Sequence, residues 1–182
     1  EHLALTRASV VAGPDALGAD VAALCAEVLA LPRERAKVLA DVAEMRKRIA
    51  AAKAPTGPWD AKIGPGRLQD IELFAQTGAL IAGRSARRIS EGIKAAAAHA
   101  LLDDVEAEKL TLSYEACWGL QCASRLLSPE PLDRGALGQA GASFLARSLG
   151  CDTLEAAETQ MEQTYASAAS CIERAMKAGE GE

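Results

Sequence analysis

The sequence predicts an all-α protein, a bundle of about seven helices joined by short connections, and three observations carry that prediction. Alanine and leucine supply most of the apolar fraction, whereas valine, isoleucine and threonine are thin. This composition favours helix over strand. Apolar residues recur at steps of three and four rather than in alternation. The prolines all fall between those stripes, where a chain stops one helix and starts the next. At 182 residues the chain is long enough for one domain with a sizeable core, so residues 1–182 are expected to form a single helical domain.

Residues 1–11 read as the end of a helix, stopped by Gly13-Pro14. Asp15 is placed to cap a second helix running to about Ala30, with Leu17, Val21, Leu24 and Val28 as its core face. Pro32 suits the first turn of a third. There Val38, Val42, Met45 and Ile49 form the inward stripe, and Lys37, Asp41, Glu44, Lys47 and Arg48 the outward face. From Lys53 to Gly66 prolines and glycines forbid a helix. A fourth helix is predicted from about Arg67 to Ala82, ended by Gly83, and a fifth from Ala86 to Leu102. The sixth, Val105 to Leu127, is apolar nearly all round through Leu110, Leu112, Tyr114, Cys117, Trp118 and Leu120, which predicts a central, buried helix. Pro129 and Pro131 break the chain, and Asp133 restarts it to Leu149. After Gly150, Asp152 and Glu155 resemble a capping box for the last helix. Its stripe is Leu154, Ala157, Met161, Tyr165, Ala168, Ile172 and Ala175, and the tail beyond Lys177 is expected to fray.

The bulk numbers also exclude functions. A net charge of −5, with no basic run carrying interleaved aromatics, argues against a nucleic-acid partner. No apolar run reaches membrane-spanning length. The cysteines, Cys25, Cys117, Cys122, Cys151 and Cys171, form no C-x-x-C pair and have no His at ligand spacing, so no metal site is expected. Their odd, scattered count suits a reducing cytoplasm. The chain opens at Glu1 without Met, which reads as a fragment whose true start lies upstream.

One stretch does more than connect helices. Pro58 to Gln76, PWDAKIGPGRLQDIELFAQ, holds a Trp, a Lys, two glycines, an Arg and three carboxylates. Gly64 and Gly66 let backbone amides approach a ligand or turn sharply. The helix that follows points free N–H groups and its positive end at the loop, and Lys62 and Arg67 add positive charge. That is a phosphate site in outline, although the spacing matches no standard phosphate loop. The same residues also read as a helix stop, a proline turn and a helix start, and both readings stand at this point. Asp70 and Glu72 are two apart on a helix, so they do not face one ion together. Trp59 reads as a core plug or a stacking platform. The basic cluster Arg84, Arg87 and Arg88 reads as a solvated helix start or as a contact for an anion or acidic partner.

Three blocks then carry a resemblance. EHLALTRASVVAG from Glu1, DVAEMRKRI from Asp41 and WDAKIGPGRLQDIELFAQ from Trp59 occur in an order and spacing that closely resemble the bacterial glutamine synthetase adenylyltransferases. Tyr114, Trp118, Leu120 and Gln121 fit a later helix of that family more loosely, and beyond Pro131 the likeness is architectural. Arg67 stands where the family usually has a second consecutive Gly, and Leu73 takes the usual Phe place. The resemblance implies the helical domain that follows the second, C-terminal nucleotidyltransferase unit of a bifunctional enzyme. One unit of such an enzyme adenylylates a tyrosine of glutamine synthetase, and the other removes the AMP. The chain has no Gly-Ser with a following Asp-x-Asp, so the catalytic domain is expected upstream, with no catalytic residue here. ATP and magnesium belong on this reading to the intact enzyme and are not expected to bind this chain tightly. The implied partners are its own upstream catalytic domain, glutamine synthetase and the PII signal protein. The implied setting is nitrogen regulation in the cytoplasm. On this reading Lys62, Gly64, Gly66 and Arg67 face the nucleotide side, and Trp59, Asp60, Asp70 and Glu72 form the interdomain seam. The helical domain of a PII uridylyltransferase and a stand-alone helical interaction module are the alternatives.

Overall fold

The computed structural model describes residues 2–178, and the tail predicted to fray lies almost wholly outside them. Among these residues there are eight α-helices, one short 3-10 turn and no strand. The helices are α1 His2–Leu5, α2 Asp15–Ala30, α3 Arg35–Ala52, α4 Leu68–Ile81, α5 Ile89–Ala98, α6 Asp104–Leu127, α7 Gln139–Ser148 and α8 Leu154–Ala178. The 3-10 turn, Arg134–Ala136, occupies the start of what the sequence predicts as the seventh helix.

The termini of these helices follow local chemistry. The α1 helix is shorter than expected; just past its end Thr6 is fully buried, its hydroxyl donating to the Leu3 carbonyl (2.6 Å) and its own carbonyl accepting from the Ala86 amide (2.7 Å). Arg33 folds its guanidinium over the last carbonyls of α2, donating to Leu29 (2.5 Å), Val28 (2.6 Å) and Leu31 (2.8 Å). That leaves Pro32 in the connection rather than in the first turn of α3. The α6 helix opens with a reciprocal cap that the sequence reading missed: the Glu106 amide donates to Asp103 Oδ1 (2.7 Å) and the Asp103 amide to Glu106 Oε2 (3.1 Å). At α8 the cap is Thr153, whose hydroxyl accepts from the Ala156 amide (3.1 Å), while Glu155 reaches Arg134 instead.

The chain divides into two compact units. The first comprises residues up to Met45, Glu72–Ala107 and the chain from Arg174. Its interior holds Leu29, Leu39, Val42, Phe74, Ile93, Leu101 and Leu102. In it α4 and α5 approach backbone to backbone. A Cβ on Gly78 would lie 2.5 Å from the Gly92 carbonyl oxygen, and one on Gly92 would strike the Ala75 carbonyl. The expected core face of α2 is not buried: Leu17 is 59% and Leu24 60% exposed, and Leu29 is the buried residue of that helix.

The second unit comprises Arg46–Ile71 and Glu108–Glu173. Its core gathers Trp59, Ala61, Leu68, Cys117, Leu120, Ala123, Leu145, Ala157, Met161 and Tyr165. Here the expectation of an all-round buried α6 is corrected. Leu110, Cys117, Leu120 and Ala123 point inward, whereas Leu112 is 58% and Trp118 53% exposed. Trp118 follows Cys117 and therefore sits about 100° further round the helix, off the buried arc. The inward arc is filled largely by small side chains, so the large ones were a misleading guide.

Candidate functional site

The stretch from Thr56 to Asp70 is the most densely bonded irregular segment of the second unit. It begins with an aspartate turn. Asp60 accepts from the amides of Thr56 (3.1 Å), Lys62 (3.0 Å) and Ile63 (3.1 Å), and from the Thr56 hydroxyl (3.3 Å). Partial burial alone would raise the Asp60 carboxyl. The amides of Thr56, Ile63 and Lys62, with the Arg67 charge nearby, outweigh it and hold the group below the ordinary carboxylate range. The chain then doubles back, the Leu68 amide donating to the Ala61 carbonyl (3.0 Å) and Gln69 to Lys62 (3.1 Å).

Arg67 lies inside this loop. Its guanidinium donates to the carbonyls of Gly57 (2.9 Å) and Asp60, and its charge sits 4.2 Å from the centre of the Tyr165 ring. The Tyr165 hydroxyl donates to the Pro58 carbonyl (3.1 Å), which ties the loop to α8. Burial pushes the Tyr165 phenol up, and the Cys117 thiol beneath is pushed by burial to about 12. Asp70, in the first turn of α4, accepts two parallel bonds from Arg46 of α3 (2.6 and 2.9 Å) and a third from the Gly66 amide (2.8 Å). The Arg46 charge is reinforced first by that hydrogen bond with Asp70.

The loop glycines are placed by contact. Gly66 has φ +68° and rests on α8: a Cβ there would lie 2.6 Å from the Ala169 amide nitrogen and nearer still to the Tyr165 carbonyl. Gly64, with φ +126°, lies against the Arg67 side chain. Of the residues singled out in the sequence, Lys62 is exposed and its ammonium has no partner among the described residues. It borders a cavity of about 180 Å³ lined also by Trp59, Asp60, Gln121, Ser124 and Glu130. Trp59 is a core residue, 4% exposed. Its indole N–H and the Ser124 hydroxyl are buried without a hydrogen-bond partner among the described residues. Glu72 is half-buried on the first-unit side of α4. Lys62, Gly64, Gly66, Arg67, Trp59, Asp60 and Asp70 thus share one neighbourhood, and Glu72 belongs to the first unit. Tyr165 and Arg46 complete that neighbourhood. The sequence reading assigned neither to it, since nothing local marks contacts made across 24 residues by Arg46 and across 107 by Tyr165. Among the described residues, no cluster of three His, Cys, Asp or Glu side chains is disposed to hold a metal.

A family model described as GlnD PII-uridylyltransferase matches residues 36–178 of this sequence. The chain belongs to that family. Curated relatives carry a second, related name. The bifunctional glutamine synthetase adenylyltransferase/adenylyl-removing enzyme of Rhizobium meliloti (strain 1021) is 48% identical over 82 residues, which is 45% of this chain and 8% of the relative. The enzyme of that name from Brucella suis biovar 1 is 45% identical over 76 residues, 42% of this chain and 8% of its own length. That of Agrobacterium fabrum is 38% identical over 105 residues, 54% of this chain and 11% of its own. The chain therefore spans about a tenth of the length of the curated relatives it matches. No solved structure matches it. Among the described residues, no helix is long and apolar enough to cross a membrane.

Proposed function

We propose that this chain is a non-catalytic helical domain of a glutamine synthetase adenylyltransferase, supporting a nucleotidyltransferase domain that transfers AMP from ATP to a tyrosine of glutamine synthetase. The observation that carries the reading is the identity of 38–48% to enzymes of that name. The loop geometry supports a supporting rather than a catalytic role. Arg67 is bonded within the loop and the Gly66 amide is engaged by Asp70. Within the loop Lys62 is the cation without a partner among the described residues, and no group of three His, Cys, Asp or Glu among the described residues is disposed to hold a metal. ATP and magnesium would supply the transferred AMP and its charge neutralisation in the catalytic domain. Lys62 would meet the nucleotide from outside, on a loop shaped by Gly64, Gly66 and Arg67. Trp59, Asp60, Asp70 and Glu72 would hold the seam to that domain. Glutamine synthetase and the PII signal protein are the proposed partners, in nitrogen regulation in the cytoplasm. A second reading, the helical domain of a PII uridylyltransferase, is favoured by the name of the family model.

One experiment separates the two. The full-length protein containing this domain is assayed for AMP transfer from ATP to glutamine synthetase and, in parallel, for UMP transfer from UTP to PII. The first reading expects the former alone, and UMP transfer without AMP transfer overturns it. The isolated chain is expected to be inactive in both assays. Lys62→Ala in the full-length protein is expected to lower AMP transfer about ten- to a hundredfold, the worth of one charged hydrogen bond at roughly 1.5–3 kcal/mol. An unchanged ATP dependence with a lowered melting temperature would make the loop purely structural.

A further inference from the structure

The first unit carries a cluster of arginines that the reading above does not use. The Thr6 carbonyl accepts from the Ala86 amide (2.7 Å) and the Ser85 hydroxyl (3.0 Å). This clamp joins points in the chain 79 residues apart and places Arg7 beside the segment that carries Arg84, Arg87 and Arg88. All four side chains are exposed. Among the described residues, none of them makes an ion pair or a side-chain hydrogen bond. The neighbouring Glu91 carboxylate accepts from the Arg88 backbone amide (3.2 Å) rather than from a guanidinium of the cluster.

Elsewhere the chain engages its arginines. Arg33 and Arg67 hold carbonyls, and Arg46, Arg134 and Arg174 hold carboxylates. The chain has 25 Asp and Glu against 20 Lys and Arg, so acids to pair with the cluster are abundant. Four like charges held together without an ion pair among the described residues repel one another. The Thr6 clamp draws them together all the same.

We infer that Arg7, Arg84, Arg87 and Arg88 form a docking surface for an acidic protein segment. The guanidinium is the group whose planar fork matches carboxylates in pairs. The choice of a protein rather than a nucleic acid follows from charge and composition. The whole chain carries a net charge of −5, which disfavours an extended polyanion. No aromatic residue lies among the arginines to stack a base. A short acidic segment needs no basic surface beyond the patch. This inference does not depend on the reading of the Lys62 loop.

The test uses the full chain and a fluorescein-labelled oligoglutamate peptide, followed by fluorescence anisotropy. Binding is expected at low salt and should weaken as ionic strength rises past about 0.1 M. The triple variant Arg7→Ala, Arg84→Ala, Arg87→Ala should bind at least tenfold more weakly with unchanged helical circular dichroism. Arg147→Ala, which removes an exposed arginine of α7, should bind as the parent does. Arg84→Lys with Arg87→Lys should fall between parent and triple variant. Equal loss from Arg147→Ala, or no loss in the triple variant, overturns the proposal. Tighter binding of a labelled DNA duplex than of the peptide overturns the assignment of the partner.

Discussion

At Gly66 the loop leaves no room for even a methyl group: Ala169 and Tyr165 backbone atoms occupy the place of a Cβ, and φ is +68°. Gly66→Ala should therefore combine a left-handed backbone cost of about 1–2 kcal/mol with an overpacking cost of about 1–3 kcal/mol. A thermal melt should show a loss of roughly 2–5 kcal/mol, and a melt equal to the parent's would mean that α8 does not sit on the loop. Asp60 makes a prediction in pH. Its carboxyl is held below the ordinary value near 4. A depressed folded value stabilises the fold above the unfolded value, and the contribution fades as pH falls through 4 and below. Asp60→Asn should thus lower the melting temperature at pH 7. The gap between parent and variant should narrow steadily from pH 5 towards pH 2.5. A gap that is constant across that range would show that the variant loses packing rather than charge.

Among the elements, α6 separates apolar character from burial. Trp118→Ala should change stability by less than about 0.5 kcal/mol, as expected for an exposed site. Leu120→Ala, two residues on and fully buried, should cost about 2–5 kcal/mol. A paired melt of the two variants checks both values, and a larger loss at Trp118 would reverse the assignment of the buried arc. The stripe of α8 was legible in the sequence, because Met161, Tyr165 and Ile172 are large residues at helical spacing whose opposite faces are polar, whereas on α3 only Val42 of the expected stripe is buried, beside Leu39 from outside it, and Met45 is 37% exposed. The faces of α2 and α6 were not legible. Both helices carry apolar residues on more than one side, so periodicity does not choose an inward arc. Small residues such as Ala123 and Cys117 make the close contacts on α6. The caps divide in the same way. Asp103 with Glu106 is readable four residues at a time, whereas the Arg33 cap on α2 requires a long side chain to fold backwards.

For the molecule as a whole, composition sufficed for the helical class and the approximate number of helices. The division of the interior was not written locally. The second unit unites Arg46–Ile71 with Glu108–Glu173, and such pairings leave no trace in the spacing of neighbouring residues. The candidate loop was visible as an oddity, since prolines and glycines surround a Trp. The engagement of Arg67 by carbonyls and by the Tyr165 ring was not visible, because that ring arrives from α8. The loop's internal bonding also has a meaning in time. The amides of Lys62, Ile63, Gly66, Leu68 and Gln69 are all donors to fixed acceptors. They should exchange with deuterated water at rates more typical of a helix interior than of a loop. Val11, fully outside regular structure and 93% exposed, should exchange within the dead time of the same experiment. Equal rates at Ile63 and Val11 would mean that the loop opens freely in solution, and Gly66→Ala should then be harmless.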